Sequence, residues 1–126
     1  MYQSLDIFQT AAAMARHAGQ RQAVTAANVA QADTPDYRAK RIAPFAEVWD
    51  SAPPHRMKAT RAKHIFPDGP AALARATEGL AEPAPNGNAV SIEEEMMHAV
   101  NIAREHNRAL TIYRHGMTIL RSTLGR

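Results

Sequence analysis

Apolar side chains recur at alternating three- and four-residue steps through two stretches of this 126-residue chain, and between them lies a middle that holds every proline. In the first stretch Leu5, Phe8, Ala12, Ala15, Gly19, Gln22, Ala26 and Val29 form a heptad-like seam. Residues 3–32 contain no proline and are rich in Ala and Gln, so one helix is expected there. The small residues of its seam would admit another helix at close range. In the last stretch Ile92, Met96, Ala99, Ala103, His106, Leu110, Tyr113, Met117, Leu120 and Leu124 keep a 4-3 spacing, with His106 the one polar member. Ser91 and Glu94 make a capping box, Glu93, Glu94 and Glu95 sit at the positive end of the helix dipole, and Arg121 and Arg126 sit at the negative end. A helix over 91–124 would span roughly 50 Å. That length favours a coiled coil or bundle. A second apolar set, Ile102, Ala109, Ile112 and Ile119, gives the C-terminal half two adhesive faces. One can serve the partner helix of the same chain and the other a neighbouring subunit.

The middle, residues 33–90, holds all eight prolines. Pro53, Pro54, Pro67, Pro70, Pro83 and Pro85 interrupt regular structure. Residues 70–79 predict a short helix, with Pro70 in its first turn and Gly79 past its end. Residues 89–91 are expected to be extended. The pattern as a whole predicts a mainly α fold in one domain, residues 1–126. Two long terminal helices pack antiparallel in coiled-coil fashion, joined by a Pro-rich irregular middle with a short helix and short extended segments.

Composition changes this picture in one respect. Hydrophobic residues are 45% of the chain, but much of that is alanine, and burying alanine removes little area from water. Part of the burial is therefore expected to come from neighbouring subunits. The net charge is +3, the pI about 9.7, and cysteine is absent, which excludes a disulfide framework and thiol chemistry. The first twenty residues have no basic leader and Asp6 interrupts the apolar run, so no cleaved secretory signal is expected. No apolar stretch is long enough to predict membrane insertion.

Candidate chemistry is thin. None of the six histidines is spaced as a ligand pair around a Glu, so no metal site is expected. Glu93–Glu95 read as first-turn acids of a capped helix before they read as a catalytic carboxylate pair. No phosphate loop, dinucleotide fingerprint or nucleophile elbow is present. Two basic clusters stand out: Arg38, Lys40 and Arg41, then His55, Arg56, Lys58, Arg61, Lys63 and His64. Only Trp49 and Phe66 flank the second, without the aromatic interleaving of a nucleic-acid surface. They are expected to be solvated or subunit-facing loops. The chain thus predicts no enzyme, no cofactor and no nucleic-acid partner.

Two segments carry a resemblance. Residues 27–41, ANVAQADTPDYRAKR, resemble the N-terminal signature of bacterial flagellar rod and hook axial proteins, roughly A-N-x-A-N-A-x-T-x-G-Y. Asn28, Ala30, Ala32, Thr34, Pro35 and Tyr37 match, and the DTP form, which begins at Asp33, is similar to the proximal-rod, FlgB-type family. Residues 86–96, NGNAVSIEEEM, resemble that family's D-G-N-x-V-D-x-x-x-E-M, with Gly87, Asn88, Val90, Glu95 and Met96 matching. Gln31, Asp36, Asn86 and Ser91 depart from it. Asp36 stands where the family usually has Gly, so the turn after Pro35 is either type II with Asp36 at positive φ, or type I.

The resemblance implies a structural subunit of the basal-body proximal rod. It would polymerise through its terminal helices into a tube that transmits torque and surrounds the export channel. The implied partners are the chain itself, other flagellar rod proteins, a FliE-type ring-to-rod adaptor, the MS-ring protein and the flagellar type III export apparatus. Phe45 with Trp49 fits the implied export signal, a Phe followed four residues later by an apolar residue; Phe8 with Ala12 fits it less well. Asn28–Tyr37 is expected to be an assembly joint, with Arg38, Lys40 and Arg41 able to meet Glu93–Glu95 of the same or an adjacent chain. The competing reading is a soluble coiled-coil adaptor or export chaperone, which would share the helices but has no need of the DTP-x-Y segment.

Overall fold

A computed structural model of the chain describes residues 6–50, 74–79 and 81–125. Helix α1 runs Asp6–Ala30, strand β1 Lys40–Arg41, helix α2 Phe45–Asp50, strand β2 Thr77–Glu78 and helix α3 Ile92–Thr123. Helices α1 and α3 are the body of the fold. They run antiparallel: Phe8 lies beside Gly116, the Ala15 carbonyl beside His106, Arg21 beside Glu105 and Gln31 beside Asn88.

Both helix ends follow from local sequence. Ser91 takes an extended N-cap conformation and its hydroxyl accepts the Glu94 amide at 3.4 Å. The Glu94 carboxylate does not complete the capping box; it turns to Arg41 at 3.2 Å. At the far end the Leu124 amide returns to the Leu120 carbonyl, and Gly125 follows at positive φ.

The packed stripe differs from the seams read off the sequence. On α3 the buried residues are Glu95, Ile102, Ala109 and Gly116, at strict seven-residue spacing. Ile102 and Ala109, two of the four members of the second apolar set, thus lie on the intrachain face, whereas Ile112 and Ile119 are exposed. The predicted main seam lies to one side of it: Ala99, His106, Leu110, Met117 and Leu120 are half-buried, whereas Ile92, Met96, Ala103, Tyr113 and Leu124 are exposed. On α1 the facing stripe is Ala11, Ala18 and Thr25. Phe8 is buried and Ala12 and Ala15 half-buried, but Gly19, Gln22, Ala26 and Val29 are exposed. Leu5 lies outside the described residues. The physical reason is size. Apolar periodicity weighs Ala and Leu alike, while two helices settle where the smallest side chains let the backbones approach.

The middle holds two corrections. Phe45–Asp50 is helical although no helix was expected there; Pro44 precedes its first residue, where a missing amide proton costs nothing. Conversely, the helix predicted over 70–79 is contradicted in its described part, 74–79. Thr77–Glu78 pair antiparallel with β1, Arg41 opposite Thr77 and Lys40 opposite Glu78, and the Gly79 amide donates to the Ala39 carbonyl at 2.8 Å. A β-branched Thr and the unpaired backbone of β1 outweigh the helix preference of the alanines.

Phe8 closes the open end of the helix pair. Its ring stands edge-on to Tyr113, centroids 5.1 Å apart. It fits because position 116 is glycine: a Cβ there would lie 3.0 Å from the ring. Gly116→Val should therefore destabilise the chain by about 1–3 kcal/mol by overpacking. In chemical denaturation, adding Phe8→Ala to that variant should cost less than Phe8→Ala costs alone; full additivity would refute the contact.

Candidate functional site

The two signature segments, about sixty residues apart, meet at the end of the helix pair where α1 stops and α3 starts. Two asparagine side chains make the join. Asn28, two residues before the end of α1 and 1% exposed, treats Lys40 as a strand would: its amide donates to the Lys40 carbonyl at 2.8 Å and its oxygen accepts the Lys40 amide at 3.0 Å. The Tyr37 hydroxyl donates to the same oxygen at 3.3 Å. Asn88 does the converse for α1. Its amide donates to the carbonyls of Gln31 and Thr34, at 3.0 and 2.7 Å, and its oxygen accepts the Val90 amide at 2.7 Å. Two carbonyls of the turns that follow α1, which also accept the Thr34 and Tyr37 amides, thereby gain a second donor from a distant segment.

Backbone bonds complete the seal. The Asp36 amide donates to the Asn86 carbonyl and the Ala89 amide to the Tyr37 carbonyl. Residues 34–37 form a tight turn closed from the Tyr37 amide to the Thr34 carbonyl, and Asp36 has φ of 58°. The positive φ that a type II turn needs is therefore adopted by a non-glycine residue. Gly87, at φ 80°, lies directly against it; a Cβ at Gly87 would overlap the Asp36 carboxylate.

Arg41 fastens β1 to α3. Its guanidinium bonds Glu94 at 3.2 Å, lies 3.5 Å from Glu95 and donates to the His98 ring. Glu95 is 2% exposed, and its Oε1 has no hydrogen-bond partner apart from this charge contact. Arg41 thus meets the first-turn acids of the same chain, one of the two arrangements anticipated for the basic cluster. Arg38 and Lys40 are exposed.

The remaining signature residues are peripheral. Ala30, Asp33, Thr34, Pro35 and Met96 are exposed and Ala32 and Val90 half-buried. The Thr34 hydroxyl donates to the Gln31 side chain at 2.6 Å. The Tyr37 ring is half-buried and its tip is engaged within the chain. Of the candidate export signal, Phe45 and Trp49 lie on one side of α2 with ring centroids 5.5 Å apart, Trp49 exposed.

Sequence reasoning missed His17. It is fully buried, edge-on to Phe45 at 5.6 Å, and neither ring nitrogen has a partner of hydrogen-bonding geometry. Burial holds its pKa below 6.5, and Arg21 adds to the effect; Glu105 and the Ala43 carbonyl oppose it more weakly. Arg21 is itself bound to Glu105 at 2.5 Å. Among the described residues no group of side chains is arranged to hold a metal ion, and no helix is long and apolar enough to cross a membrane.

Four substitutions test the joint and its surroundings. Asp36→Gly should stabilise the chain by about 0.5–1 kcal/mol, the relief of the left-handed strain less the added chain entropy. Asn28→Asp keeps the acceptor but loses the donor to Lys40, and should cost about 1–3 kcal/mol; so should Asn88→Ala, and equilibrium unfolding measures all three. His17 is neutral in the fold, so its contribution is complete above pH 6.5 and is lost as pH falls through its depressed folded value. His17→Leu should flatten the fall of stability between pH 7 and 5, measured as the denaturation midpoint against pH.

No family model matches the chain, and no curated protein is similar to it at a significant level.

Proposed function

We propose that the chain is a structural subunit of the bacterial flagellar basal-body rod, of the FlgB or proximal-rod type, with no catalytic role. One observation carries the reading. The two motifs that resemble the axial-protein signatures are far apart in sequence, yet their most distinctive members, Asn28, Tyr37, Gly87 and Asn88, are bonded or packed into a single joint at the end of an antiparallel helix pair. A chance likeness in two segments gives no reason for them to interlock.

The surface supports the same reading. Much of the predicted apolar seam of both helices is exposed: Gly19, Ala26 and Val29 on α1, and Ile92, Met96 and Ala103 on α3. These positions are available to helices of adjacent subunits. On this reading the partners are further copies, other rod proteins, the ring-to-rod adaptor and the MS ring. The chain reaches its place through the type III export apparatus, and Phe45 and Trp49 are candidates for recognition in the unfolded state.

The test is genetic and biochemical. Deleting the gene should abolish swimming, and the tagged chain should co-purify with detergent-extracted basal bodies. Gly87→Ala, which forces the joint open, should restore neither motility nor basal-body incorporation while leaving α-helical content largely intact. Normal swimming of the deletion strain, or absence of the chain from purified basal bodies, would sink the reading.

A further inference from the structure

His17 of α1 is fully buried, and neither ring nitrogen has a hydrogen-bond partner. An imidazole so placed is tolerated only while it is neutral, because charging it without a partner carries a large desolvation cost. The groups that face it do not offset that cost. Arg21, one turn further along α1, repels a proton. Glu105 of α3 attracts one but is already bonded to Arg21. The segment before α2 offers the Ala43 carbonyl, and α2 itself offers the edge-on Phe45 ring, 5.6 Å away. The two acids of α2, Glu47 and Asp50, are exposed.

The two sides of this burial differ in strength. Towards α3 the cover is a long helix pair, tied by Arg21 to Glu105 and by His106 to the Ala15 carbonyl. Towards solvent the cover is α2, six residues of which none is buried. Phe45 and Val48 are half-buried, and Trp49, its ring 5.5 Å from that of Phe45, is exposed. The bond from the Val48 amide to the Pro44 carbonyl lies within this segment and survives if the segment lifts. Before it, β1 is fastened by Asn28 and Arg41. Residues 42–44 therefore join a fixed strand to a lightly held helix, and lifting α2 is the least costly way to hydrate His17.

We propose that α2 is an acid-released clasp: protonation of His17 lifts α2 from α1, turning about residues 42–44, and frees the Phe45 and Trp49 rings while α1 and α3 stay paired. Release takes up one proton. Under α2 the His17 pKa is held below 6.5, mainly by burial, and hydration returns it to the ordinary value. The docked form is thus fully favoured above pH 6.5 and loses ground as pH falls towards the depressed value. Across that window the ratio of released to docked chains rises by up to about tenfold per pH unit. An aromatic pair is then offered to partners in acid and withheld at neutral pH. The clasp involves residues of this chain alone and does not depend on its being a rod subunit.

Trp49 is the only tryptophan of the chain, so its fluorescence reports on α2 in the full-length protein. Between about pH 7 and 5 its emission should shift to the red and its quenching by acrylamide should increase, with far-ultraviolet circular dichroism unchanged. His17→Leu should abolish both changes while leaving every other histidine in place; His17→Asn, which does not titrate in this range, gives the same test if the leucine variant folds poorly. The coupling is reciprocal. Phe45→Ala should expose Trp49 already at neutral pH and raise the His17 titration, followed by proton NMR of the ring, towards 6.5. An acid response of the same size in the His17 variants would overturn the proposal. So would a Trp49 environment that does not change with pH, or one that changes only together with loss of helix.

Discussion

The fold depends on two side-chain amides that act as backbone. Asn28 supplies β1 with a donor and an acceptor, and Asn88 supplies the turns that follow α1 with a donor for two carbonyls. Each bond is individually modest in water. Here both side chains are nearly inaccessible to solvent, so a replacement that removes only the donor or the acceptor of Asn28, or leaves a void at Asn88, costs more than the bond itself. The register between α1 and α3, the path of the tight turn and the placement of Arg41 over the start of α3 all follow from these two residues. A helix pair lined by alanine has little shape information of its own, and polar groups with fixed geometry supply it.

How much of this was legible in the sequence depends on the kind of force involved. The long helices were legible because periodicity, capping and the absence of proline agree over about thirty residues each. The observed bounds, Asp6–Ala30 and Ile92–Thr123, fall within two or three residues of those expected. The packed face was not, because it is built from Ala11, Ala18, Thr25, Ala109 and Gly116, residues whose contribution is the absence of bulk. His17 and Glu95 were illegible for a related reason: titratable residues are expected at the surface, and their burial is imposed by what the small neighbours allow. The short elements of the middle depend on contacts with distant segments, so local propensity misassigned both α2 and residues 77–78.

The joint was partly legible. Asn28 was placed by its motif in the segment expected to form the joint, and Asp36 was recognised as a residue that would have to take positive φ or change the turn type. The reciprocal role of Asn88 and the close approach of Gly87 to Asp36 are tertiary facts; one sequence offers them only as members of a motif. The same division applies to Arg41, whose nearness to the acids of α3 follows from charge, whereas its contact with His98 is a tertiary fact.

The distances along the chain between bonded residues have a kinetic consequence. Arg21 bonds Glu105 across 84 residues, and His106 reaches the Ala15 carbonyl across 91. Almost every contact that fixes the two long helices is of this kind, so relative contact order is high for a mainly helical chain. Closing so large a loop must precede any reward from packing. Helix α1, short of bulky side chains, gains little until α3 arrives. The native pairing is therefore slow to form compared with a bundle whose helices are neighbours in sequence. A newly made copy spends its early life as two unpartnered segments, open to whichever surface reaches them first.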